Sequence, residues 1–264
     1  MFRGEEFELQ CYNYLRENYS TPTTSFRHLG GMDSTTSDIA VIKNNNVSFY
    51  IEAKDSCAQS GQFVVLTDQS TDSFVFSTKN HSEPNEMTDI IIDYMNQNFD
   101  TFYNAGTSGK SINISSDIFA QWIIQHYIDK GVKYFISYKN GFVILPIHKF
   151  SEYFDISAKY RIKKSGSREP AKKDHEILKE LISNYYPHAS FNAIDKKLYV
   201  SINEPLRQER FEIEEYTFLL SLRDDDLFEI RKLSNTRNMN VIFSIDLLKV
   251  QDPADLVLFE NDIK

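Results

Sequence analysis

Apolar positions recur at helical spacing from Gly4 to Tyr19, and the run stops before Ser20-Thr21-Pro22. Glu6, Gln10, Asn13 and Glu17 form the opposite, polar side, so the pattern predicts an amphipathic helix. Glu8 falls on the stripe of Cys11, Tyr12 and Leu15, and an acid turned toward a core needs a partner or a metal. A Glu at the edge of the stripe that reaches water fits the same spacing. Two strand-like runs follow, Ser37–Lys43 and Val47–Lys54, separated by Asn44-Asn45-Asn46. Asn tolerates the left-handed conformations of tight loops, so this segment predicts a β-hairpin. Centred on Asn45, the hairpin sets Asp38 opposite Glu52, Ile39 opposite Ile51 and Val41 opposite Phe49. One face is then apolar and the other carries two carboxylates.

Beyond the hairpin, Ser56–Gln62 is small, polar and glycine-containing, and reads as a loop that lets a backbone or ligand approach. Phe63–Leu66 and Phe74–Phe76 predict strands on either side of a polar turn. Asp89–Phe102 and Ser116–Lys130 predict helices, the second capped by Ser115 or Ser116 and closed by Gly131. Lys133–Tyr138 and Phe142–Ile147 predict a hairpin around Asn140-Gly141. Lys173–Tyr185 predicts a helix, and strands are expected at Lys197–Ile202, Tyr216–Leu222 and Val241–Ile245. The sequence has no repeat, low-complexity tract or Pro/Gly linker. The expected organisation is one domain over 1–264: a core to about residue 150, helices packed on a mixed sheet, then a β-rich part from about 151 to 264.

Composition places the chain among soluble globular proteins, with 41% hydrophobic and 25% charged residues. The 20 Phe and 15 Tyr foretell an aromatic-rich core. Cys11 and Cys57 form no CxxC pair and no Cys/His ligand spacing, which fits a reducing cytoplasm and argues against structural zinc or disulfides. The N-terminus lacks the basic and apolar segments of a secretion signal, and no apolar run approaches the roughly 20 residues that span a bilayer. A cytoplasmic location without a membrane partner is therefore expected. The net charge of −9 is unusual for a nucleic-acid binder. Yet Lys159–Lys173 holds seven cations against Glu169 alone, a window of +6 that leaves −15 elsewhere. Charge so concentrated can direct a polyanion to one surface; a solvated basic loop has the same composition.

Like charges directly opposed across a hairpin are destabilising, so Asp38 beside Glu52 points to a cation between them. Lys54, two residues past Glu52, projects from the same face. Two acids for a metal and one amine beside it form a hydrolytic constellation. Mg²⁺ binds through a few oxygens and activates water, and Lys54 can contact that water or a phosphate. A surface hairpin with scattered charges shares the Asp-x13-Glu-x-Lys spacing. There is no Gly-x-Ser-x-Gly elbow, phosphate-binding Gly-x-x-x-x-Gly-Lys loop or His-Glu-x-x-His. Two stretches carry side chains suited to base edges and phosphates. One is Tyr160–Arg168, with Arg161, Lys163, Lys164, Ser165, Ser167 and Arg168 around Gly166; the other is Leu233–Asn238, with Asn235 and Arg237. Arg168 or Arg237 could hold a guanine bidentately; ordinary polar loops are the alternative.

Gly4-Glu5-Glu6-Phe7-Glu8, Ser37-Asp38 and Glu52-Ala53-Lys54 together resemble the PD-(D/E)xK nuclease superfamily. Its core is an acid-bearing helix, an Asp-bearing strand and a Glu-x-Lys strand. Gly-x-x-Phe-Glu favours Glu8 over Glu6, and Ser37 stands where many members have Pro. Blocks at Asp33–Ile39, Phe49–Lys54, Gly61–Val64, Tyr160–Arg168, Leu233–Thr236 and Asn240–Ile245 resemble, in order, a type II restriction endonuclease; Lys172–Arg223 does not match. The resemblance implies a restriction-endonuclease-like α/β fold with a β-rich C-terminal DNA-recognition part. It implies Mg²⁺-dependent double-strand cleavage of DNA at a short palindrome containing CpG, GCGC by family expectation, with 5′-phosphate ends. A companion cytosine DNA methyltransferase is implied too. By carry-over Asp38 and Glu52 are metal ligands with the Ala53 carbonyl a third, Lys54 is the catalytic base or phosphate contact, and Glu8 is a further catalytic acid. Gln62 and the Lys163–Arg168 block would contact DNA. A structure-specific repair or recombination nuclease of the superfamily, or a catalytically silent DNA-binding protein, remain the other readings.

Overall fold

Phe7, Cys11 and Leu15, four residues apart, are the buried stripe of helix α1 (Gly4–Tyr19), which packs on the first strand. That strand, β1 (Thr24–His28), is followed by β2 (Ile39–Lys43) and β3 (Asn46–Ala53). Next come β4 (Cys57–Asp68), β5 (Ser73–Phe76), α2 (Glu86–Gln97), α3 (Phe99–Tyr103), β6 (Lys110–Ser111) and α4 (Ser116–Ile128). β7 (Val132–Tyr138), β8 (Phe142–Pro146), α5 (Phe150–Tyr153) and the long β9 (Phe154–Lys164) lead to β10 (Ser167–Arg168) and α6 (His175–Tyr185). β11 (Ser190–Ile194), β12 (Lys197–Ser201), β13 (Arg210–Ile213), β14 (Tyr216–Asp224) and β15 (Leu227–Leu233) follow, then β16 (Arg237–Leu247) and α7 (Pro253–Ile263). The structure is a computed structural model that describes residues 4–30, 37–68, 70–164, 166–203, 209–214, 216–224, 226–233 and 237–264, with backbone only at 163, 164, 237 and 238. The expectations for Asp33–Thr36, Ser165 and Asn235, and for the side chains of Lys163, Lys164 and Arg237, lie outside the described residues.

Backbone contacts divide the chain into two units, Met1–Arg161 with Met239–Lys264, and Ile162–Asn238. The first unit holds a five-stranded sheet in the order β1-β2-β3-β7-β8. Only β3 and β7 pair in parallel among its neighbours, so the sheet is mixed. Phe7, Cys11 and Leu15 of α1 and Phe259 and Ile263 of α7 pack with Ile39, Val41, Phe49, Ile51 and Tyr134. A second sheet of this unit runs β5-β4-β16-β9-β6. Its core is aromatic: Trp122 of α4 stacks on Phe243 at 4.4 Å and lies 5.7 Å from Phe63. In the second unit β11-β12-β15-β14-β13 form an antiparallel sheet, with β10 also on β15. Leu178 and Ile182 of α6 pack with Leu198, Val200, Leu220, Phe228 and Ile230.

Two expectations need correction, and one alternative reading is decided. Ser56–Gln62 is not a loop: from Cys57 it is the first half of β4, paired with β16. The pairing shifts between Ile242 and Ser244, and Gly61 takes φ +111° there; a Cβ would lie 2.7 Å from Cζ3 of Trp122. Glycine marks a strand bulge with a close ring approach, not a break in the strand. The basic stretch from Tyr160, for which a loop stood only as the alternative, is strand as far as Lys164. The helix expected over Asp89–Phe102 is two helices, because the chain turns at Asn98.

Candidate active site

The β2–β3 hairpin turns on Asn44 and Asn45, both at positive φ (49° and 66°), as two-residue hairpin loops require. Lys43 therefore pairs with Asn46 and Ile42 with Val47. The register then shifts, leaving Ser48 as an extra residue, and Val41 pairs with Phe49 and Ile39 with Ile51. The Asn45-centred expectation is thus off by one beside the turn and correct from Val41 to Ile39. Phe49, Ile51 and Ala53 enter the core under α1 and α7, so Glu52 and Lys54 leave on the other face.

Asp38 lies one residue before β2, and its Oδ2 accepts the Ala53 N–H at 2.9 Å. Lys54 Nζ donates to Glu52 Oε1 at 2.5 Å and stands 3.8 Å from Asp38 Oδ2. The trio is buried: the side chains of Asp38, Glu52 and Lys54 are 12%, 7% and 18% exposed. Beneath the ammonium is the ring of Tyr127 of α4, 5.8 Å to its centroid. Burial pushes both carboxyls above their ordinary pKa; Lys54 opposes this, while Glu8 adds to it at Asp38 and Asp38 adds to it at Glu52. Burial would lower the Lys54 pKa, but Tyr127, Glu52 and Asp38 outweigh it and hold the amine well above its usual value. In this arrangement Lys54 is an ammonium that bridges two desolvated acids.

Glu8, on α1, turns toward the site. Its Oε2 is buried without a hydrogen-bond partner among the described residues and lies 3.8 Å from Nε2 of His28, at the end of β1. His28 and Tyr127 were not legible as site residues: each arrives from a different element, and no linear spacing links them to Asp38.

The donors suit a divalent cation. Asp38 and Glu52 are hard oxygen ligands with one lysine as counter-charge. The N–H and C=O of a strand residue leave on the same edge, so the Ala53 carbonyl faces the edge on which Asp38 accepts the Ala53 N–H. Among the described residues no three His, Cys, Asp or Glu side chains gather as a metal set. Two carboxylates and a main-chain oxygen are the small protein set that Mg²⁺ accepts, since it keeps several waters.

The remaining candidates are spread over both units. Gln62 is exposed on β4. Arg161, on β9, lines a cavity of about 650 Å³ with Lys159, Gln59, Asn113, Ser116 and Ser244, and its Nε is buried without a partner among the described residues. In the second unit Arg168 is exposed on β10. Ser167 is engaged: Arg231 donates to its hydroxyl at 3.2 Å and to its carbonyl at 2.5 Å. Arg231 also pairs with the buried Glu229 and with Glu169, so Ser167 serves a charged network within the sheet. No helix among the described residues is long and apolar enough to cross a membrane.

No family model matches the chain, and no curated protein does. Among solved structures, the HhaI endonuclease in complex with DNA is similar to this chain, with a TM-score of 0.79 and 36% sequence identity. The match covers 99% of this chain and 99% of that one. The ordered blocks of the sequence resemble the same enzyme.

Proposed function

Since the chain belongs to the family of the HhaI endonuclease, we propose that it is a type II restriction endonuclease. It makes Mg²⁺-dependent double-strand breaks in DNA at a short palindrome, GCGC by family expectation. The observation that carries this reading is the buried convergence of Asp38, Glu52 and Lys54 within a restriction-endonuclease-like fold. Asp38, Glu52 and the Ala53 carbonyl would hold the cation. When bound, it polarises a phosphoryl oxygen and lowers the pKa of water. Lys54 sets a positive charge where the transition state gains negative charge, and a fixed charge in a desolvated site needs no reorganisation. A water oxygen bonds to phosphorus as the P–O3′ bond breaks. The 3′ oxygen leaves with a proton that balances the one water gives up, and the phosphate stays on the 5′ end. Gln62, Arg161, Lys163, Lys164, Ser165, Ser167, Arg168, Asn235 and Arg237 are the proposed DNA contacts, and a cognate cytosine methyltransferase would protect the host.

Digestion of unmethylated and GCGC-methylated plasmid, with Mg²⁺ or with a chelator, tests the reading. Discrete fragments that require Mg²⁺ and vanish on methylated plasmid are expected. Cutting confined to branched or damaged DNA would replace restriction by repair or recombination. Binding to DNA without cutting under any divalent cation would leave only a silent DNA-binding protein.

A further inference from the structure

In the second sheet of the first unit, residues of β4, β6, β9 and β16 and the start of α4 line the cavity of about 650 Å³. Ser157, Lys159 and Arg161 alternate along β9, so their side chains leave on one side of the strand. Gln59 and Ser244, which pair across β4 and β16, line the same space, as does Ser111, the partner of Lys159. Gly109, at φ +76°, holds the chain before β6 close to Arg161. A Cβ there would lie 2.5 Å from the Tyr160 carbonyl oxygen and 2.8 Å from the Arg161 Cβ.

The chain has 38 acidic and 29 basic residues, yet no acid is among the described residues that line this cavity. Lys133 and Lys149 of the same unit are paired with Asp262 and Asp255. Lys159 and Arg161, by contrast, form no ion pair with a described residue. Ser116, the first residue of α4, adds the positive end of a 13-residue helix. Asp117, the acid of that first turn, is not a lining residue. Two cations, a helix N-terminus and neutral hydroxyls and amides are the groups by which proteins hold DNA phosphates. Gln59, Ser157, Lys159 and Ser244 are exposed, so a phosphate can enter while still joined to its strand.

We propose that this cavity seats a phosphate of the DNA backbone several steps from the one that is cut, with Lys159 and Arg161 as its cationic holders. This rests on the nuclease reading given above. Helix α4 sets the separation: Ser116 lines the cavity, and Tyr127, whose ring lies 5.8 Å from Lys54 Nζ, is eleven residues further on. A helix rises about 1.5 Å per residue, which puts the two ends about 16 Å apart. One DNA strand carries a phosphate about every 3.4 Å along the axis, so that span is about five steps. A phosphate held at one end of α4 thus fixes which phosphate reaches Asp38, Glu52 and Lys54 at the other. Such a contact sets register on the duplex and reads no base.

The test walks one neutral methylphosphonate along each strand of a GCGC duplex and measures affinity by gel shift without metal. The cut phosphate is mapped separately on end-labelled DNA with Mg²⁺. The wild type should lose about tenfold in affinity at one position per strand, roughly four to six steps from the cut. The double variant Lys159→Ala/Arg161→Ala should bind the unmodified duplex about tenfold more weakly and lose nothing further at that position. Other positions should weaken both proteins alike, and the salt dependence of the variant should be shallower by about one phosphate. Should the double variant not fold, Lys159→Ala and Ser157→Asp, both at exposed positions, decide on the same readout. The proposal is overturned if no position is coupled to the variants, or if the coupled position is the cut phosphate or its neighbour. Unchanged DNA affinity in a variant that has lost calorimetric binding of inorganic phosphate would assign the cavity to a free anion and overturn the backbone role. A wild-type protein that neither binds nor cuts DNA overturns the nuclease reading as well; one that cuts with Mg²⁺ but shows no coupled position overturns the cavity alone.

Discussion

Lys54→Met removes one ammonium and leaves an apolar chain of similar length among two acids. Glu52 loses a donor at 2.5 Å and Asp38 its nearest cation at 3.8 Å, while both carboxyls stay at least seven-eighths buried. Breaking a buried pair by removing one partner costs about 3–5 kcal/mol when the other keeps its charge. Carboxyls can escape that cost by binding a proton, so the loss depends on pH. Burial already raises both pKa values and Lys54 alone among the larger influences at Glu52 lowers its value, so the variant raises them further. A carboxyl whose folded pKa is raised adds stability below its unfolded pKa, about 4, and loses it as pH rises through the folded value. The variant should therefore match the wild type near pH 4 and fall behind as pH rises, by about 3–5 kcal/mol at pH 8.

Urea unfolding between pH 4.5 and 8.5 reads this directly. Trp122, the only tryptophan, stacks on Phe243 within the first unit, so its fluorescence follows the unit that carries the site. Cleavage should drop about 100- to 1,000-fold, the cost of losing one preorganised stabiliser of transition-state charge. A stability loss that does not vary with pH would refute the coupling between Lys54 and the two acids. Cleavage within threefold of wild type would refute its role in the reaction.

Other substitutions separate chemistry from architecture. Asp38→Asn and Glu52→Gln should each lower cleavage about 1,000-fold or more, with metal-free DNA affinity unchanged in a gel-shift titration. Gly61→Ala should destabilise by about 2–5 kcal/mol, from left-handed strain at φ +111° and a Cβ 2.7 Å from the Trp122 ring; an unchanged unfolding midpoint would show that the bulge relaxes freely. Asn45→Ala should cost about 1 kcal/mol at φ 66° while Asn45→Gly is tolerated, again read by urea unfolding. Arg161→Ala should weaken DNA binding and make it less sensitive to salt, and an unaltered salt dependence would remove Arg161 from the DNA contacts.

The hairpin shows why the convergence of Asp38, Glu52 and Lys54 was legible although its turn was misplaced. Placing the centre on Asn45 put the turn half a residue too far along, and the extra residue at Ser48 shifts the pairing back before it reaches Val41. Ser48 and its neighbour Val47 are exposed, so an added residue there disturbs no burial. What fixes the faces is the alternation of Phe49, Ile51 and Ala53, since a slip of one residue would expose all three. Elsewhere a period-2 signal was present but covered. Phe154, Ile156, Ala158 and Tyr160 are buried while Asp155, Ser157 and Lys159 are exposed, yet no strand was expected there, where the cations from Lys159 drew the reading to charge. Gly61 hid the first half of β4 in the same way. The C-terminal helix also had its signal, Asp252 as a cap followed by Pro253, and Phe259 and Ile263 complete the core against which β2 and β3 are laid. The groups around the trio are a different matter. Tyr127 reaches Lys54 from α4, and His28 reaches Glu8 from β1, through packing that no local pattern encodes. Local alternation thus sets which acids converge, and topology sets what surrounds them. Rebuilding the Asn44-Asn45 turn while keeping the β3 alternation should therefore leave cleavage intact, whereas moving Ile51 off the core face should abolish it with Asp38, Glu52 and Lys54 all still present.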